Sequence, residues 1–503
     1  MLALLALLAH PAVSGSESCS AVLGERVTIH QVAGWLDVDT LMLLFGMMVL
    51  VGYLSRTGIF EYIAARVFSR AGRSPTRLVS SLCAATAILS AFLDNVTVIL
   101  LMTGVTVSLC KSMGLPAERV VIATVIASNI GGAATLIGDP PNLMIASQLG
   151  NKGVTFGRFM IHVAPAVILS MMGTLCYFRV VLRADLSPAA RKHRLLLQHA
   201  DLANHGQLDA IERGANGCAA HAAVQPVDSR QPPTLTPHAP PQPPSLPSAA
   251  ADDGPALSVA AIMSTGASAR AAFEAQAIAL RRRYPIRDRA LLRVTAPIFG
   301  AVLVGFCLCS PLLQLEMAWI PIVGAGAVAL LDRPDGLDAV LKHVEWSTLL
   351  FFGTLAVLMR GIGTLGLIDL LSKGLAHLIA AAPHNLQLPA ALLVVLWGSA
   401  ILSACVDNVP FTAAMIPVIL SLTESDDLPL QPLVTALALG TCLGGNGSLI
   451  GASANIVAAG ILEGLGLPIS FTDFVRLSMP VTLLTICISS VYVLVLYVLI
   501  GVR

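Results

Sequence analysis

The feature that most restricts this chain is a pair of motifs that occurs twice at one interval. Ser90-Ala91-Phe92-Leu93-Asp94-Asn95-Val96 recurs as Ser403-Ala404-Cys405-Val406-Asp407-Asn408-Val409, 313 residues later. The same interval relates Gly131-Gly132, Thr135-Leu136-Ile137-Gly138 and Asn142 to Gly444-Gly445, Ser448-Leu449-Ile450-Gly451 and Asn455. Further along, Phe156, Phe159 and Pro165 align with Phe471, Phe474 and Pro480 at an interval of 315, and Gly46 aligns with Gly353 at 307. Motifs that keep their spacing in both halves mark a tandem duplication.

The duplicated halves are built from apolar runs. The 503-residue chain is 56% hydrophobic and 12% charged, where an ordinary soluble domain carries about 25% charged residues. Of its 59 Lys, Arg, Asp and Glu residues, 21 lie in residues 183–290, leaving 38 for the other 395. So few charges cannot cover a water-facing surface, and the fold class expected is an all-α polytopic membrane protein. The net charge of +1 argues against a nucleic-acid partner, and the lipid bilayer is the partner the composition calls for. The ten cysteines show no zinc or redox spacing and read as small hydrophobes. The histidines suggest no metal site.

Several apolar runs, such as Leu78 to Leu93, Val96 to Cys110 and Val120 to Ile130, fall short of the roughly 20 residues of a simple span. Short segments with Gly and Pro breaks at matching places in two halves are the pattern of re-entrant hairpins and broken helices. Four segments follow. Residues 1–30 are a signal-like or truncated N-terminal segment, and residues 31–182 form the first transmembrane repeat. Residues 183–290 are a disordered Pro/Ala-rich linker with ten prolines between Pro226 and Pro255, and residues 291–503 form the second repeat. Arg281, Arg282, Arg283, Arg287, Arg289 and Arg293 lead into that repeat, which places the linker on the cytoplasmic side by the positive-inside rule. Counting spans from there inverts the two repeats, with their hairpins dipping from opposite faces. The second half has two spans before Trp346 where the first has only Met1 to Ala9 before Thr40. Either the first repeat has lost a helix or the N-terminus is incomplete.

Candidate chemistry sits where polar residues interrupt these runs. Asp94-Asn95 and Asp407-Asn408 are the expected hairpin tips; a first arm spanning about 24 Å brings its tip to the membrane midplane. A carboxylate there costs roughly 2.5–3.5 kcal/mol on insertion scales, so it needs a role. Capping of the following half-helix is one. Binding of a proton or sodium ion, with helix ends and Asn amides taking substrate, is the other. The second element runs from Ser128-Asn129 through Gly131-Gly132 and Thr135 to Gly138-Asp139-Pro140-Pro141-Asn142, and its counterpart holds Gly444, Gly445, Asn446, Ser448 and Asn455. Paired glycines and prolines cannot continue a regular helix, and irregular backbone at membrane depth must be buried in protein or line a cavity. Unwound carbonyls, the Thr135 and Ser448 hydroxyls and the Asn142 and Asn455 amides are candidate ligands for a small ion. Alternatively the glycines serve close helix packing. The halves differ chemically: Asp139 becomes Ala452 and Asn129 becomes Cys442. Asp139 is thus either a proton carrier or a carboxylate at a polar mouth.

These motifs resemble the P protein type within the citrate-transporter-like ion transporter superfamily, which includes arsenite permeases and sodium/proton antiporters. The resemblance rests on LLFGMMVLVGYLSRTGIFEY, LSAFLDNVTVILL, NIGGAATLIGDPPN, VEWSTLLFFGTLAVLM, DNVPFTAAMIPV and LGGNGSLIGASAN, and covers roughly residues 30–182 and 291–500. It implies secondary active transport through a scaffold and a transport domain that move relative to each other. The cargo would be an anion (chloride, carboxylate or oxyanion), or ions exchanged with coupling to H+ or Na+. It also implies a site on the hairpin tips and broken helices, here Asp94, Asn95, Gly131, Gly132, Thr135, Asn142, Asp407, Asn408, Gly444, Gly445, Ser448 and Asn455, and a possible homodimer. The P protein type is associated with ion and pH control in acidic organelles, so the membrane is that of an organelle or the cell surface. Competing readings are an anion channel on the same scaffold, a sodium/proton antiporter and, more distantly, an intramembrane aspartyl protease. The protease needs a facing pair of acids, whereas each Asp here recurs in a duplicated Asp-Asn-Val context. No enzymatic activity or organic cofactor is expected.

Overall fold

The computed structural model describes residues 34–72, 74–183, 185–187, 275, 278–279, 281–282, 284–312, 317–333, 336–342, 344–364, 367–383, 386–425 and 428–502. The N-terminal segment expected over residues 1–30 and most of the linker lie outside the described residues.

Every element among the described residues is helical. The first repeat comprises α1 (Val38–Arg56), α2 (Ile59–Ala71), α3 (Pro75–Ser90), α4 (Asn95–Met113), α5 (Ala117–Gly132), α6 (Pro140–Leu149) and α7 (Phe156–Val181). After α8 (Arg289–Leu312), α9 (Trp319–Leu331) and the short α10 (Gly336–Leu341), the series recurs. It runs as α11 (Trp346–Thr364), α12 (Leu367–Ala380), α13 (Gln387–Cys405), α14 (Asn408–Ser425), α15 (Leu430–Gly444), α16 (Ser453–Gly464) and α17 (Phe471–Leu494). Five of these, α1, α7, α8, α13 and α17, are long and apolar enough to cross a membrane. The fold is that of two inverted repeats, each with a helical hairpin and a broken helix.

Local sequence explains the breaks. Pro75 opens α3 behind a Ser74 cap, and the chain leaves that helix after Ser90, so that Asp94 caps α4. Helix α5 ends at Gly132, and α6 restarts only at Pro140-Pro141, whose fixed backbone suits a first helical turn. Thr155 and Ser470 cap α7 and α17 through the N–H groups of Arg158 and Asp473, and both helices carry a proline at their tenth residue, Pro165 and Pro480.

Two features differ from the expected runs. Helices α2 and α12 are further elements at matching places in the repeats; α2 buries Phe60, Ala64 and Phe68 on one face and exposes Arg66 and Arg70. Their mixed composition gives them no continuous apolar run. The second hairpin arms are also longer than half a span: α4 has 19 residues and α14 has 18, about 27–28 Å each.

The packing repeats as the sequence does. Helix α3 lies on α5 and α13 on α15, while α4 meets α16 and α14 meets α6, so that the repeats interlock through hairpin arms and broken helices. The long α7 and α17 pack together, and the Tyr497 hydroxyl at the π-helical end of the chain lies 2.7 Å from His162 Nδ1 and 2.8 Å from Thr435 Oγ1. A separate group forms where α1 packs on α8, α9, α10 and α11.

Glycines set how closely arm and broken helix approach. A Cβ on Gly131 would collide with the Ala87 backbone, and one on Gly444 would sit 2.5 Å from Ala400 Cα. The main chains touch, leaving no neighbouring side chain that could move aside. Gly131→Ala and Gly444→Ala should therefore each cost about 1–3 kcal/mol or more and lower the thermal midpoint of the purified protein. Gly104→Ala, with open space around it, should not.

Candidate ion and substrate site

The hairpin tips and broken segments converge, and the group at their centre is Asp139. It stands immediately before α6 and is 1% exposed, so it does not lie at a polar mouth. Because Pro140 and Pro141 have no N–H and the Asn142 N–H donates to the Asp139 backbone carbonyl, the carboxylate is not consumed in capping α6. It instead accepts from Asn95 Nδ2 at 3.1 Å and from Asn408 Nδ2 at 3.4–3.5 Å, one amide from each tip. None of the ion pairs among the described residues involves Asp139.

Around it runs a chain of buried amides. Asn95 Nδ2 also donates to Asn129 Oδ1 at 3.2 Å, and Asn129 Nδ2 reaches both Asn446 Oδ1 and Asn455 Oδ1 at 2.9 Å. Across the pseudo-two-fold axis, Cys442 takes the place of Asn129 and its thiol lies 3.5 Å from Asn142 Oδ1. Each broken helix thus addresses the Asn of the other. Cys442 behaves here as a polar group rather than a plain hydrophobe.

The remaining predicted residues act at the edge of this centre. Asp94 accepts from Thr97 N at 3.0 Å and Thr97 Oγ1 at 3.2 Å, and Asp407 accepts from Val409 N at 3.0 Å and Ser453 Oγ at 2.8 Å. Both carboxylates therefore serve the starts of helices. Thr135 Oγ1 donates to the Ala91 carbonyl and Ser448 Oγ donates to that of Ala404 at 2.6 Å, tying each broken segment to the end of its hairpin arm. Asn142 Nδ2 donates to the carbonyls of Gly132, Ala133 and Thr135, and Asn455 Nδ2 to those of Gly445 and Ser448. These amides satisfy carbonyls that the breaks release. Gly131, Gly132, Gly444 and Gly445 supply clearance: a Cβ on Gly132 or Gly445 would meet the carbonyl oxygen of Gly138 or Gly451 at 2.7 and 2.8 Å.

Three polar groups here are buried without a hydrogen-bond partner, Ser90 Oγ, Ser128 Oγ and Asn446 Nδ2. The sequence reading missed Glu345, just before α11, which accepts from Thr348 Oγ1 at 3.0 Å and stands near Asp94 and Thr97 of the first tip. Its signal was an acid beside an apolar run, in the VEWSTLLFF segment.

Comparison with known proteins agrees with this architecture. The citrate transporter family profile matches residues 1–440. The chain belongs to the citrate transporter family. Among relatives of this family member, the P protein of Sus scrofa is 38% identical over 487 residues and that of Homo sapiens 37%. Those matches take in 96% of this chain but 56% of the relatives, so the chain spans little more than half their length. An uncharacterized transporter of Mycobacterium tuberculosis (strain H37Rv) is 30% identical, with 96% of this chain and 92% of its own length covered. The fold is also that of the YdaH transporter of Alcanivorax borkumensis, with a TM-score of 0.54 at 14% identity, covering 99% of this chain and 97% of that one. Membership of a transporter family favours transport over the protease reading of the paired aspartates.

The amide chain can be tested without a substrate. Asn129→Ala deprives Asn446, Asn455 and Asn95 of their shared partner. With each unpaired buried group costing about 1–3 kcal/mol, the variant should unfold several degrees lower in detergent, while Asn129→Asp should retain at least the acceptor toward Asn95.

Proposed function

We propose that this protein is a secondary active transporter that moves a small anion together with a proton carried on Asp139. The observation that supports it is the convergence of three helix N-termini, those of α4, α6 and α14, on one buried carboxylate that no Lys or Arg pairs among the described residues. Helix N-termini present positive dipole ends and N–H groups, the usual receptor for an anion inside a protein. An ionised Asp139 would repel that anion, whereas a protonated one would admit it and free the Asn95 and Asn408 amides to bind it. Anion and proton would then travel together because each makes room for the other. The partners nearest Asp139 are two amide donors and a thiol, and a sodium ion requires oxygen ligands, which favours H+ over Na+ as the coupling ion.

Chloride, carboxylates and oxyanions all fit this chemistry. The same reading puts the linker and the arginines flanking it on the cytoplasmic side.

Purified protein in liposomes, given imposed proton or sodium gradients and a panel of chloride, citrate, dicarboxylates and arsenite, tests the proposal. An inward proton gradient should accelerate uptake of at least one anion, and a sodium gradient should not. Asp139→Asn should abolish the proton dependence, while Asp94→Asn should retain it. A chloride current indifferent to both gradients and to Asp139→Asn would instead identify a channel.

A further inference from the structure

The two repeats share a sequence pattern but not their surroundings. Leu93 and Ile137, at the first tip and first broken segment, are each 3% exposed, whereas their counterparts Val406 and Ile450 are 50% and 54% exposed. Two acids heading the helices of the separate group reach across to the enclosed side.

Asp37 caps α1, accepting from Thr40 N at 3.1 Å and Thr40 Oγ1 at 2.8 Å. It also accepts from Ser147 Oγ at 2.9 and 3.1 Å, and Thr40 Oγ1 lies 2.7 Å from that same oxygen. Ser147 is on α6, the helix that begins beside Asp139. Glu345 stands at the same place before α11. It accepts from Thr348 and meets Thr97 on α4. Asp37-Val38-Asp39-Thr40-Leu41 and Glu345-Trp346-Ser347-Thr348-Leu349 thus form a further copy of the duplication, an acid followed by Thr-Leu at an interval of 308.

Beyond their own helices, the hydroxyls that these acids face, Ser147 and Thr97, both belong to the first repeat. At the interval of 313, Ser147 corresponds to Gly460 and Thr97 to Pro410, and neither of these has a side-chain donor. The duplication kept both acids but kept their hydroxyl partners on one side only.

We propose that Asp37 is a state-specific latch that hydrogen-bonds α6 of the first repeat to the outer helices in this conformation, with Glu345 set against Thr97 of α4, and that neither acid meets a hydroxyl when the second repeat occupies that place. The inference rests on the transporter reading, in which the two repeats exchange surroundings. The latch biases the protein toward the state in which the first tip is enclosed and the second is open.

The test reads accessibility in purified protein without substrate. Single reporter cysteines, Ile137→Cys or Ile450→Cys, are placed in a background with the other cysteines replaced, and their rates of reaction with N-ethylmaleimide are measured. Ser147→Ala removes the cross-link while leaving Asp37 on Thr40, and should raise the rate at position 137 about five-fold and lower it at 450. Gly460→Ser, which has open space for its side chain, gives Glu345 a hydroxyl in the opposite state and should shift both rates in the same directions. Unchanged rates in both variants would overturn the proposal. A rise at both positions would mark simple loosening and overturn it too. Because labelling needs no ion movement, a protein that shifts accessibility but transports nothing refutes the transporter reading and not the latch.

Discussion

A helix that stops inside a membrane leaves its last carbonyls and the first N–H groups of the next helix where no bulk water can reach them. This chain breaks its helices at depth in both repeats, and each break is repaired by the same three side chains. An Asn amide takes released carbonyls, a Thr or Ser hydroxyl ties the segment to the neighbouring arm, and an Asp heads the second arm of the hairpin. The repair leaves N–H ends and spare amides facing one small volume, so the centre of the protein is polar because its helices are discontinuous.

Within that volume the two repeats are unequal in one decisive respect. Pseudo-symmetry would place a carboxylate on each side of the axis, but Ala452 stands where the second would be. Two ionised carboxylates so near each other would repel strongly in a low-dielectric setting. With one, both tip amides turn toward the same group.

Much of this was legible in the chain because polar residues stand out against apolar runs. The duplicated Asp-Asn pairs, the paired glycines and the substitution of Asp139 by Ala452 could all be read directly, and so could the inversion, since it follows from counting spans. What could not be read was direction. Asp94 and Asp407 stand out as membrane carboxylates, yet they serve helix starts, Asp94 that of α4 and Asp407 those of α14 and α16, while the adjacent Asn95 and Asn408 reach Asp139, a one-residue difference that backbone torsion decides. Asp139 was ambiguous because a Gly-Asp-Pro-Pro sequence suits either a buried break or a surface turn. Helices α2 and α12 went unmarked because a one-sided apolar face interrupts any run, and Asp37 and Glu345 because their partners are distant in sequence.

The backbone contact between each hairpin arm and its broken helix has a consequence for what kind of machine this can be. Gly131 against Ala87 and Gly444 against Ala400, each pinned by a hydroxyl bond a turn away, leave no slack for a tip to flap open by itself. Arm and helix form a welded cassette, so any change in which tip is enclosed has to carry arm and broken helix along together as one unit.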